Sequence, residues 1–166
     1  MISLLILACE KEINYPIETN VIENDNSIIK TQRIESDEKT IVINLDLTYK
    51  KSQRKLPTIQ HKFISSNSNN VIEDLKNNAK SVNGIYSIEY NNKIIYEMTI
   101  KKGEIISKKS HILMQKTVED CSASGIIECF DSTVEDMNWV EYGFCIATAP
   151  TCTARITASC IWEECF

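Results

Sequence analysis

The chain has 166 residues, 43% of them hydrophobic and 25% charged, with a formal net charge of −5. That length suits one or two small domains of ordinary globular composition. No apolar run approaches the roughly 18 residues that a membrane-spanning helix needs. The charge is segregated, with residues 10–38 summing to −5, residues 39–116 to +8 and residues 117–166 to −8. This predicts an acidic leader, a basic middle domain and an acidic tail, and salt screening lets the last two attract only by direct contact. The cysteines are divided as unevenly. Cys9 stands alone near the start, while Cys121, Cys129, Cys145, Cys152, Cys160 and Cys165 crowd the end. Thiols clustered without metal-ligand spacing imply an oxidising compartment.

Ile2 to Ala8 forms a short apolar run directly before Cys9. Leu5-Ile6-Leu7-Ala8-Cys9 resembles the lipobox of bacterial lipoproteins. Glu10-Lys11-Glu12 is similar to the charged segment behind the lipid-carrying cysteine in surface lipoproteins of the Bacteroidota. The resemblance implies that residues 1–9 are a signal ending at an acylated Cys9. It also implies a place in the cell envelope, at the outer membrane or cell surface, with a lipid anchor as the membrane contact. A secretory signal normally carries a basic n-region and about 7 to 15 apolar residues. Residues 1–8 contain no Lys or Arg, so the translation start is expected upstream of Met1. Parity agrees with a lipid on Cys9, because six cysteines remain and six can close three bridges.

Residues 10–38 show no sustained helical or alternating period and are expected to form a flexible acidic tether. The basic domain, residues 39–116, begins with a half-buried strand in which Ile41, Ile43, Leu45, Leu47 and Tyr49 alternate with Val42, Asn44, Asp46 and Thr48. A basic loop follows at Lys50, Lys51, Arg54 and Lys55, with His61 placed in the same loop region. The polar run 65–70 then caps a helix over 71–80, with Val71, Leu75 and Ala79 on its apolar face. Tyr86, Ile88 and Tyr90 share a strand face. Asn91-Asn92 makes a turn, Ile94, Tyr96, Met98 and Ile100 share the return face, and Lys102-Gly103 turns into a third strand over 104–114. The expected class is α+β, a small antiparallel sheet with one helix, followed by a disulfide-stapled Cys-rich module over residues 117–166.

The tail cysteines are separated by 7, 15, 6, 7 and 4 residues, and the tail contains no histidine. A structural zinc site is therefore not expected, and neither a metal nor a cofactor is predicted. Ile146 to Ile161 is rich in Ala and Thr and reads as short strands and loops. Phe130, Trp139, Tyr142, Phe144, Trp162 and Phe166 can fill a small core. Trp139, Tyr142 and Trp162 could instead form a binding patch for a protein or glycan partner. The lysines lack aromatic interleaving, so nucleic acid is not expected as a partner.

No catalytic motif stands out. His61 and His111 lack a nucleophile context, the Glu-Cys pairs at 128–129 and 164–165 carry acidic neighbours that raise a thiol pKa, and paired acids such as Glu119-Asp120, Glu135-Asp136 and Glu163-Glu164 occur without a calcium-loop glycine. The expectation is a lipid-anchored surface protein without enzymatic activity, whose tail is an interaction module. The alternative is a precursor that releases its tail as a Cys-rich antibacterial or toxin-like peptide. The Cys- and aromatic-rich end bears a faint similarity to the proteins grouped with the bacteriocin fulvocin C.

Overall fold

The computed structural model describes residues 17–23, 27–50, 54–55, 58–111, 123–148 and 150–165. Cys9 and Cys121 lie outside these residues, as do the side chains of Trp162 and Cys165. Five strands come first: β1 (Ile17–Glu23), β2 (Ser27–Asp37), β3 (Thr40–Tyr49), the two-residue β4 (Arg54–Lys55) and β5 (Ile59–Ser65). Helix α1 (Val71–Asn78) and a 3-10 turn (Ala79–Ser81) lead into β6 (Gly84–Tyr90), β7 (Lys93–Lys101) and β8 (Glu104–Ser110). The chain ends in α2 (Ala123–Thr148) and α3 (Pro150–Cys165). The sheet is antiparallel, in the order β1-β2-β3-β5-β6-β7-β8, with β4 paired to β3 beside this path. The helices cover one face, with α3 against β1, β2 and β3 and α2 against β7 and β8.

Alternation builds the covered face. Ile41, Ile43, Leu45 and Leu47 of β3 point into the core, as do Ile59, His61 and Phe63 of β5, Tyr86 and Ile88 of β6, and Tyr96, Met98 and Ile100 of β7. Two-residue turns with positive φ join β6 to β7 at Asn91 (52°) and Asn92 (60°), and β7 to β8 at Lys102 (54°) and Gly103 (76°). Such turns match the twist of the flanking strands. The expected helix is present: Val71, Leu75 and Ala79 are buried, and the Asn70 Oδ1 accepts the Glu73 N–H at 3.2 Å to cap the first turn.

The structure corrects four of the expectations. The sheet has seven strands along its path and three α-helices accompany it, against the single helix expected. Most of residues 10–38 is not a tether, because β1 and β2 occupy 17–23 and 27–37, with Ile29 and Thr31 buried. Strands near a sheet margin need only a few inward residues, so their period is diluted by polar neighbours. Ile94 leaves the face predicted for it: an irregularity between Ile88 and Glu89 pairs Ile88 with Tyr96 but Glu89 with Ile94, and Ile94 is 44% exposed.

The fourth correction concerns the tail, which is helical where short strands were expected. Ile146, Ala147, Thr153, Ala154, Thr157, Cys160 and Ile161 are buried there. Packing on the sheet overrides the strand preference of Thr and Ile. Three of its aromatic residues belong to the same core as the sheet: Phe130, Trp139 and Tyr142 are buried together with Phe63, Tyr86 and Met98. Within α2 the helix breaks at Asn138 (φ 63°, ψ 164°), whose Oδ1 accepts the Val140 and Glu141 N–H groups at 3.0 and 3.3 Å. The side chain thus caps the second half of the helix at the point where its backbone interrupts the first.

Two disulfides join α2 to α3. Cys129–Cys160 spans 31 residues with its Cα atoms 5.4 Å apart, and Cys145–Cys152 closes the interhelical corner with Cα atoms 5.6 Å apart. The pairing is nested, the inner pair of cysteines lying between the outer pair in sequence. Of the six tail cysteines, Cys121 and Cys165 take part in neither described bridge. Peptide mapping under non-reducing conditions is expected to recover a Cys121–Cys165 linkage together with the two above, and free thiol at both positions would contradict it.

Gly84 is a second sensitive point, because a Cβ there would strike the Ile64 carbonyl and approach the Phe63 ring to 2.8 Å. Gly84→Ala is expected to lower stability by about 1 to 3 kcal/mol, read as an earlier urea midpoint at unchanged slope.

Candidate functional site

The residues most able to do chemistry are enclosed. His61 lies in β5 rather than in a loop and is 2% exposed. Its Nδ1 is hydrogen-bonded with the Tyr86 hydroxyl, and its Nε2 lies 3.0 Å from the Thr157 Oγ1 of α3. The Tyr86 hydroxyl in turn meets the Tyr142 hydroxyl of α2 at 2.6 Å. Thr157, His61, Tyr86 and Tyr142 therefore make a continuous polar chain from α3 through the sheet to α2. Around it the rings pack closely, with Tyr86 stacked on Phe130 at 5.9 Å and edge-on to Tyr142 at 5.3 Å, and Phe63 tilted against Trp139 at 5.1 Å.

Desolvation sets the charge state of this chain. Burial lowers the His61 pKa from 6.5 to about 3 and raises the Tyr86 and Tyr142 hydroxyls above their ordinary range. All members are neutral at physiological pH, each polar atom of the relay is bonded to another member, and His61 and Tyr142 are buried. This is the chemistry of a satisfied buried network that fixes two layers in register. It is not the exposed, mobile geometry of a general base.

A second polar contact closes the far margin of the interface. The Tyr96 hydroxyl donates to the Asp131 carboxylate, and Lys108 bridges to Asp131 at 2.9 Å and to Glu135 at 3.5 Å. Basic middle and acidic tail thus meet by contact here, through a lysine of β8 and two acids of α2. Exposed Glu135 adds little to the energy of this pair.

Of the two readings of the tail aromatics, Trp139 and Tyr142 follow the core one and form no surface patch. Trp139 is 1% exposed and Tyr142 is completely buried, because both fill the space between α2 and the sheet. The side chain of Trp162 is outside the described residues. Of the tail cysteines, Cys129, Cys145, Cys152 and Cys160 are placed in bridges. Among the described residues, no group of three or more His, Cys, Asp or Glu side chains could hold a metal ion.

What the molecule does present is the face of the sheet turned away from the helices, which sequence reasoning did not single out. Its two halves differ. On β3 and β5 polar side chains bond one another, Gln60 to Asn44 at 2.8 Å and Thr58 to Asp46 at 2.6 Å. On β5 to β8 the surface is apolar, with Ile64, Ile85, Ile94 and Ile106 between 44% and 55% exposed. There a groove of about 570 Å³ runs along β6. The irregularities at Ile88/Glu89 and Thr99/Ile100 help to bring Ile94 and Ile106 to this side. Period-two reading could have found Ile64 and Ile85, since each neighbours an inward aromatic residue in its strand.

The buried histidine yields a pH prediction. Between pH 6.5 and about 3 the unfolded chain holds a proton on His61 that the folded chain does not, so this residue's contribution to stability is complete above pH 6.5 and is lost as pH falls. Within that window it should add about 1.4 kcal/mol per pH unit to the loss of stability. Urea melts from pH 7 to pH 4 should therefore show a steeper decline for the natural protein than for His61→Gln, and parallel profiles would contradict this. The comparisons with known proteins add no relative: no family model matches this chain, and neither do the curated proteins or the solved structures searched.

Proposed function

We propose that this protein is an exported, lipid-anchored, non-enzymatic binding protein, held at the cell envelope through Cys9 and meeting its partner through the uncovered face of its sheet. The observation that carries this reading is the pair of disulfides, Cys129–Cys160 and Cys145–Cys152, built into the helical layer of the core. Such bridges persist in oxidising compartments. An exported chain that carries Leu5-Ile6-Leu7-Ala8-Cys9 has a ready route to acylation. A non-enzymatic role is supported by the enclosure of His61, Tyr86 and Tyr142, the groups otherwise best suited to proton transfer.

Release of the tail as a free toxin-like peptide is disfavoured by the same core. Cutting between β8 and α2 would strip the cover from Phe63, Tyr86, Tyr96 and Met98, and would expose Phe130, Trp139 and Tyr142 on the liberated fragment. Large contiguous apolar surfaces of that kind are rare on soluble molecules.

The anchor is tested in a bacterial host that processes lipoproteins, by feeding an alkyne-bearing fatty acid and fractionating the cells. The natural sequence should take up label and sediment with membranes, and Cys9→Ala should lose the label and shift to the soluble exported fraction. An unlabelled natural protein found in the soluble fraction would overturn the anchor.

A further inference from the structure

We infer that the groove along β6 is a binding site for a single-chain amphiphile with an anionic head, such as a fatty carboxylate. The inference rests on the reading of the protein as a binding protein and names the ligand class of its open face.

Size selects the class first. The groove encloses about 570 Å³, inside the range of roughly 300 to 1,000 Å³ that holds one small ligand. The groove crosses four strands, β5 to β8, which is roughly 14 Å at the usual strand spacing, and about six residues of β6 give it a length near 20 Å, its apolar part being the row of Ile64 and Ile85 with Ile106 beside it. The resulting footprint of roughly 300 Å² is far below the about 800 Å² per partner that a stable protein interface buries. Extending the footprint over β2 and β3 would bring in Gln60, Asn44, Thr58 and Asp46, which already satisfy one another. A long, narrow, one-chain ligand fits these dimensions better than a folded partner does.

Registration of the strands then orders the groove along its length. Ile64, Ile85 and Thr99 stand side by side in one row across β5, β6 and β7, and Ile106 borders the groove from β8. Beyond that row, at the end where β6 begins, Lys101 lines the groove with Ser66 and Asn83. Lys101 stands opposite Glu104 of β8 in register but makes no ion pair among the described residues, which leaves its ammonium to meet an anion. In the opposite direction come Glu97 and then Glu89, which repel an anionic head, with Ile94 beside Glu89. Charge therefore gives the site a direction: head on Lys101, alkyl chain over Ile85 between Ile64 and Ile106. Lys62, one row further from Lys101, faces Glu97 across Ser87, and its methylene stem can lie along the chain while its ammonium stays in water.

Titration calorimetry tests this with the full oxidised chain carrying Cys9→Ala, using dodecanoate below its micelle concentration. The expected result is saturable one-to-one binding of dodecanoate, none of acetate, and about tenfold weaker binding of dodecyltrimethylammonium. Lys101→Ala should abolish the preference for the anionic head while dodecyl chains still bind. Ile85→Thr, which keeps a β-branched residue in the strand, should weaken both amphiphiles by about fivefold, and Lys30→Ala on the polar half should change neither.

Absence of saturable heat with dodecanoate would overturn the site, as would affinities unchanged in both Lys101→Ala and Ile85→Thr. Sedimentation showing a stable dimer that Ile85→Thr dissociates would overturn it in favour of a second copy on this face. Because the chain tested carries no lipid, failure here leaves the anchor at Cys9 standing, and failure of the labelling experiment leaves this site standing.

Discussion

Everything in this molecule depends on the burial of one face of an antiparallel sheet beneath α2 and α3. The sheet has eleven or more large apolar side chains turned to that side, far more than its own strands can shield. The acidic, cysteine-rich tail is the shield. Its ring-bearing residues Phe130, Trp139 and Tyr142 occupy the middle of the interface, and a buried side chain of that size is worth on the order of 2 kcal/mol or more of transfer energy. Segregated charge and segregated cysteines therefore mark two layers of one core, not a domain with an appendage.

Disulfides and polar contacts divide the work of holding these layers. Both described bridges lie within the helical layer and neither crosses to the sheet. They stabilise the α2–α3 pair by restricting its unfolded states, an effect of about 2 to 4 kcal/mol for a typical bridge. Attachment of that pair to the sheet is left to apolar packing and to directional contacts from Thr157 to His61, from Tyr142 to Tyr86 and from Asp131 to Tyr96 and Lys108. Apolar contact alone tolerates sliding. A chain of hydrogen bonds with no spare acceptor admits few alternative alignments.

Much of the fold could be read from the residues, and the failures have physical causes. The alternation of β3, the capped α1 and the hairpin at Asn91-Asn92 are local patterns whose neighbours in sequence are also neighbours in space. They were accordingly legible. The tail was misread because Thr153, Ala154, Thr157, Cys160 and Ile161 recur at helical spacing but are individually small or β-branched. Composition suggested strands where periodicity meant helix. For Trp139 and Tyr142 the sequence leaves core and surface both open, because nothing local reveals that a sheet lies opposite them. The groove was invisible for a related reason: Ile64 and Ile85 come from strands separated by α1, and the register that sets them side by side depends on long-range pairing. Ile94 reaches that side only through an irregular pairing, which alternation does not anticipate.

Placing the shield after the sheet in the chain has a consequence for biogenesis. During synthesis the sheet is complete by Ser110, before the helices that cover it have emerged. For that interval the nascent protein carries an apolar surface on the side that will become its interior as well as the isoleucines of its outer side. Such an exposed sheet is the kind of species that associates with its own kind. The order of residues along the chain therefore leaves the apolar face of the sheet open to such association until α2 and α3 have followed it and closed over it.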